Sequence, residues 1–141
     1  MPDRKHFHEL AMERLQETRL LILNGRYTGA RYLSGYIIEA ALKSRICKIL
    51  DSEYPETGEI SKSFLTHKFD LLIKLGGLQK LLDEEKQKNP QFAANWSLLS
   101  GWKESDRYNK VDSSSKPELE EILSAIEDHE NGILNWIKKL W

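Results

Sequence analysis

The chain carries a single cysteine, Cys47, so no disulfide can form within it. Cys47 lies in an apolar stretch with no activating base close in sequence. That setting favours a packed thiol over a nucleophile, and a reducing compartment over an oxidising one. Long apolar runs are also missing. No segment approaches the roughly 18 residues that a membrane span needs. The start, Met1-Pro2-Asp3-Arg4-Lys5, is not followed by the apolar stretch of a signal peptide. A cytoplasmic protein with no membrane partner is therefore expected. Excess charge of one sign is absent too: 21 Lys and Arg stand against 22 Asp and Glu, a net of -1. No global basic field exists to hold a duplex non-specifically, so any nucleic-acid surface must be local. Strand-like alternation, internal repeats and low-complexity tracts beyond Ser113-Ser114-Ser115 are lacking. There is no zinc-binding spacing and no Walker-type phosphate loop. His6 and His8, two apart on a helix, point in different directions, so with Glu9 and Glu13 they read as a solvated turn rather than a metal site. Neither metal nor cofactor is expected.

Helical periodicity fills the space left by these absences. Phe7, Leu10, Leu15, Leu21 and Ile22 recur at near-helical spacing from Asp3 onward, and Asn24-Gly25 supplies a stop. A second helix follows almost at once, with Ala30, Leu33, Ile37, Ala41 and Leu42 on a broad apolar face continued by Ile46, Ile49 and Leu50. So short a connection makes the two antiparallel neighbours. Gly29, Ser34 and Gly35 weaken the second helix, which suggests that another backbone comes close there. The polar stretch 51–63 reads as a loop and a candidate lid. Thr66 is placed to cap a short helix bearing Phe69, Leu72 and Ile73 and ended by Gly76-Gly77, with His67 in its first turn. Leu78 to Lys88 reads as another short helix, and Pro90 can open the next. In that one Phe92, Trp96, Leu99 and Trp102 form a stripe that reads as core rather than a base-stacking platform. A loop around Ser113 precedes a last, long helix running from Leu119 to Leu140, with His129 on its apolar side. The expected fold is a single all-α domain over residues 1–141. It is an antiparallel up-and-down bundle of four to five helices plus one or two short ones, long enough to bury a core without disulfides or metal.

Four residues stand out as chemistry-bearing beyond this scaffold. Glu39 and Lys43 lie one turn apart in the order that favours a helical ion pair, inside an apolar segment. Buried together, they would call for a third charged group, such as Arg107. His67 sits between two loops, where a ring can be both oriented and accessible. Arg107 offers a planar fork to phosphate or carboxylate beside Tyr108, which can stack or hydrogen-bond. A purely structural anchor, with Arg107 on Glu39 and Tyr108 packed over it, is the competing reading.

The order of these landmarks resembles that of HEPN domains. Their sequence is a first amphipathic helix, Gly25-Arg26-Tyr27, a helix containing Ile38-Glu39-Ala40-Ala41-Leu42-Lys43, then His67 with Leu71 and Leu72, then Arg107-Tyr108. The resemblance covers roughly residues 5 to 108 and implies a helical bundle that forms a homodimer. Active HEPN ribonucleases use an arginine followed after four to six residues by a histidine and cleave RNA without metal. Here Arg107 has Asp112, Ser113 and Ser114 at those positions, and no other arginine precedes a histidine at that spacing. The resemblance therefore implies a non-catalytic module binding a nucleotide, RNA or a protein, in a toxin–antitoxin or phage-defence setting with a nucleotidyltransferase partner. Arg107, Tyr108, Lys43 and Glu39 are the expected ligand-binding residues. The alternatives are a divergent ribonuclease toxin recruiting His67 beside Arg107, and a helical interaction protein with no ligand cleft.

Overall fold

The computed structural model describes residues 2–55 and 60–141, and among these every regular element is helical. The seven α-helices are α1 (Arg4–Leu23), α2 (Tyr27–Leu50), α3 (Phe69–Leu75), α4 (Gln79–Lys88), α5 (Pro90–Ser100), α6 (Lys116–Glu127) and α7 (Ile133–Lys138). Two short 3-10 segments, Ile60–Ser63 and Glu104–Tyr108, complete the set. This is the all-α bundle read from the sequence. Residues 56–59 of the 51–63 lid candidate lie outside the described residues.

The boundaries follow local chemistry. Asp3 caps α1, its carboxylate accepting from the His6 N–H at 2.8 Å. Gly25, at φ +72°, then turns the chain out of α1 in a left-handed conformation that glycine adopts without strain. Only three residues separate α1 from α2, so the two run antiparallel, and theirs is the most extensive helix pairing in the molecule. α2 also touches α3, α6, α7 and the Glu104–Tyr108 turn, which makes it the central helix. Residues 37 to 42 are buried without interruption, because a helix with neighbours on all sides has no solvated face. Ile37, Ile38, Leu42 and Ile46 meet Leu72, Leu119, Ile126 and Ile137 in one core. Each such side chain contributes roughly 1.5–3 kcal/mol on leaving water.

The structure corrects three expectations. The last helix is two: α6 ends at Glu127 and α7 begins at Ile133. The Asp128 carboxylate accepts from the N–H groups of Glu130 and Asn131, and Asn135 donates to the carbonyls of Glu127 and Asp128, so side chains replace the helical ladder. His129 falls in this break and is exposed rather than lying on an apolar stripe. The small residues of α2 admit a ring, not a backbone: a Cβ on Gly35 would lie 1.9 Å from the Trp102 indole. Finally, α3 starts at Phe69, so His67 precedes it instead of occupying its first turn, and Thr66 accepts from the Lys68 N–H in a turn of its own.

Candidate functional site

Glu39 is the one charged side chain among the buried residues described, and it sits inside the stretch of α2 that is covered all round. A carboxylate there persists only if it is paired and hydrogen-bonded. Lys43, one helical turn on, places Nζ 2.9 Å from Glu39 Oε1 and lies over the Tyr54 ring, 5.1 Å from its centroid. The same oxygen receives His67 Nδ1 at 2.8 Å. The other ring nitrogen, Nε2, is 2.9 Å from Glu104 Oε2 in the 3-10 turn. Each ring nitrogen of His67 thus lies within hydrogen-bond distance of a carboxylate oxygen. The result is an alternating row, Lys43, Glu39, His67, Glu104, that bridges α2, the segment before α3 and the 3-10 turn. Glu39 Oε2 is buried and has no hydrogen-bond partner among the described residues.

Two tyrosines extend the row along the same helix face. Tyr36 stands edge-on to His67 and to Trp102, and its hydroxyl is 3.1 Å from that of Tyr32. Burial, and then the hydrogen bond with Tyr32, pushes the Tyr36 phenol well above its ordinary value, so it stays protonated. With Phe7 and Leu10 of α1 these tyrosines, Glu39 and Lys43 line a groove of about 510 Å³ between the first two helices.

The 3-10 turn is held in place at both ends. Trp102, just ahead of it, stacks on Phe69, lies against Gly35 and donates from Nε1 to the Tyr32 carbonyl at 2.9 Å. Arg31 reaches Asp106 at 3.7 Å and Glu118 at 2.5 Å, tying the turn to α2 and α6. Arg107 is thereby fixed beyond the row. It is exposed, its guanidinium lies 4.7 Å from the centre of the Tyr108 ring, and it has no ion pair among the described residues. Tyr108, then Tyr32 and Glu104, hold its charge above the ordinary value. It overlooks a cleft of about 340 Å³ at the beginning of α2, shared with Tyr27, Thr28, Tyr32 and Asp106.

Three of the sequence-derived residues are thus brought together: Glu39, Lys43 and His67. The further partner of Glu39, beyond Lys43, is His67 and not Arg107, and Tyr108 does not pack over the pair. Arg107 ends the turn facing the α2 N-terminus, while Glu104, at the start of the turn, faces His67. The residues missed from sequence are Tyr32, Tyr36 and Glu104. The tyrosines had a signal, since Tyr32, Tyr36, Glu39 and Lys43 repeat at helical spacing and form one polar face. Glu104, in a short polar segment, had none. Cys47 is buried, with a thiol pushed up to about 11 chiefly by burial, as a packed rather than nucleophilic sulfur requires. Among the described residues, no group of three or more His, Cys, Asp or Glu side chains is placed to hold a metal ion. No helix is long and apolar enough to cross a membrane. No protein-family model, no curated protein and no solved structure matches the chain.

Proposed function

We propose that this is a HEPN-like binding module that holds an anionic ligand, a nucleotide or RNA, through Arg107 and does not cleave it. One observation carries the reading: both nitrogens of the site's histidine face carboxylates, while its outermost arginine is exposed and has no ion pair among the described residues. His67 has a carboxylate on each ring nitrogen, so neither nitrogen is turned outward to take a proton from a 2′-hydroxyl. Arg107 makes hydrogen bonds to Tyr108 and Tyr32 but no ion pair among the described residues, and its guanidinium has further donors to offer a phosphate. Tyr108 backs the guanidinium with one face of its ring and is itself 76% exposed. Lys43 and Glu39 act by position: Lys43 is committed to Glu39, and Glu39 fixes His67 and hence the turn that carries Arg107. The homodimer, the nucleotidyltransferase partner and the defence setting rest on the resemblance alone.

Titration of a fluorescently labelled RNA oligonucleotide with wild type and Arg107→Ala tests the reading. Arg107→Ala is expected to weaken binding about tenfold at low salt and to make the salt dependence shallower by about one ion. Unchanged binding by a folded Arg107→Ala variant would remove the assignment.

A further inference from the structure

Two asparagines in this chain are followed by glycine, in Asn24-Gly25 and Asn131-Gly132. A glycine nitrogen, unshielded by a side chain of its own residue, can attack the amide carbon of the asparagine before it. At Asn24-Gly25 both residues are exposed. Asn24 is the C-cap of α1, at φ −96° and ψ 13°. A Cβ on Gly25 would meet nothing within 4 Å, and glycine leaves its φ of +72° for other conformations at little cost. Two hydrogen bonds restrain the reacting groups: Asn24 Nδ2 donates to the Leu20 carbonyl at 2.8 Å and the Gly25 N–H to the Ile22 carbonyl at 3.1 Å. Both lie in the last turn of a helix, where fraying costs almost nothing.

Asn131-Gly132 is held differently. Gly132 is buried, and a Cβ there would lie 2.5 Å from the Asp128 carbonyl oxygen. Its N–H donates to that carbonyl at 2.9 Å. Asn131 accepts from Asn89 Nδ2 on its side chain at 2.7 Å and from Asn95 Nδ2 on its carbonyl at 2.9 Å. Freeing it therefore parts the α6–α7 break from α5. The charges differ as well. Attack requires the glycine nitrogen to lose its proton, which a neighbouring cation favours and neighbouring carboxylates oppose. Arg26 follows Gly25, whereas Glu130 precedes Asn131 and the Asp128 carboxylate accepts from the Asn131 N–H at 2.8 Å.

We propose that Asn24 is a site of spontaneous deamidation, a modification that the fold permits at Asn24-Gly25 and withholds from Asn131-Gly132. Hydroxide takes the Gly25 N–H proton, and the nitrogen attacks Asn24 Cγ. The new C–N bond closes a five-membered succinimide, the Cγ–Nδ2 bond breaks, and ammonia leaves with a proton from water. Water then adds to one ring carbonyl. Cleavage of the new bond gives an aspartate at position 24, and cleavage of the original peptide bond gives an isoaspartate. Water enters, ammonia departs, and nothing is oxidised or reduced. The product carboxylate cannot donate to the Leu20 carbonyl as the amide does. It stands at the negative end of α1. Gly25 and Arg26 line the cleft that Arg107 overlooks, so one more negative charge appears at its rim.

Incubating the protein in mildly alkaline buffer, folded and in guanidinium chloride, and mapping its peptides by mass spectrometry follows both pairs at once. Each rate in the folded protein is taken relative to that of the same pair in the unfolded chain. On that scale Asn131 is expected to lag behind Asn24 by at least about tenfold, since its release breaks the hydrogen bonds to α5 as well. Folded Asn24 that stays intact while the unfolded chain converts, or folded Asn131 that keeps pace with Asn24, would overturn the proposal. Anion exchange checks the assignment in the whole protein. The more acidic form that accumulates in folded wild type is expected to be lost in Asn24→Gln, and its undiminished appearance there would place the reaction elsewhere and reject the site.

Discussion

Gly35→Ala adds one methyl group to the buried side of α2, and its consequence can be worked from the packing around Trp102. The new Cβ would lie 1.9, 2.0 and 2.4 Å from three indole atoms, whereas carbons rest about 3.5–4.0 Å apart. The ring must therefore recede by about 1.5 Å. It is not free to do so, because Phe69 is stacked on it at 5.7 Å and Nε1 is bonded to the Tyr32 carbonyl at 2.9 Å. Overpacking of this kind destabilises by about 1–3 kcal/mol, and loss of the indole hydrogen bond adds about 1 kcal/mol. Against this, alanine is favoured over glycine inside a helix by up to about 1 kcal/mol. The net expectation is a loss of roughly 1–3 kcal/mol. For a chain of this size that lowers Tm by about 3–10 °C. Gly29→Ala in the same helix is the control: its nearest outside atom, Leu21 Cδ1, is 3.9 Å away, so only the propensity gain remains and Tm should hold or rise. Thermal melting followed by circular dichroism reads both. A Gly35→Ala protein as stable as wild type, or a Gly29→Ala protein that falls as far, would refute the argument from packing.

Three further outcomes are expected. Glu39→Leu leaves Lys43 and His67 facing an apolar side chain. Because Lys43 is 15% and His67 38% exposed, the expected loss is about 2 kcal/mol, below that of a fully buried pair. Glu39→Leu/Lys43→Met should recover part of it in a double-mutant cycle by urea unfolding, and no recovery would show that the pair is not coupled. Ser115→Ala removes the cap of α6, where Ser115 and Glu118 exchange two hydrogen bonds at 3.4 Å, and should cost about 1 kcal/mol by the same assay. His8 stacks on Trp141 and is held below its ordinary value, first by burial and then by Arg4. The unfolded chain therefore takes up the proton first as pH falls, so this contribution to stability is full above about pH 6.5 and is lost below it. His8→Phe should flatten the decline between pH 7 and 5 (about the window in which histidine titrates). An unchanged decline would place the acid sensitivity elsewhere.

What sequence revealed and what it hid divide along the range of the interactions concerned. The ends of α1 were legible because Asp3 and Gly25 act on their own neighbours, and Pro90 marked the start of α5 for the same reason. The Glu39–Lys43 pair was legible because a helix fixes i,i+4 contacts. The break between α6 and α7 was hidden by hydrophobic periodicity that continues across it, although Asp128, Asn131 and Gly132 carried the turn chemistry needed to find it. The second partner of Glu39, and the carboxylate beyond it, were not legible. His67 and Glu104 come from irregular segments 28 and 65 positions away from it, and only packing of Trp102 against Gly35 brings the second of them into place. Small residues on α2 were read as admitting a backbone, and nothing local in the sequence could say that the visitor at Gly35 was an indole ring.

The central claim is that this site binds RNA or a nucleotide without cutting it. Incubating end-labelled RNA with wild type and with Arg107→Ala in EDTA, and resolving both the bound fraction and the product lengths, tests it most directly. The account predicts a wild-type complex in which the RNA stays full length and an Arg107→Ala protein that binds more weakly. Shortened RNA with wild type, restored to full length by Arg107→Ala, would contradict it and make the protein a nuclease.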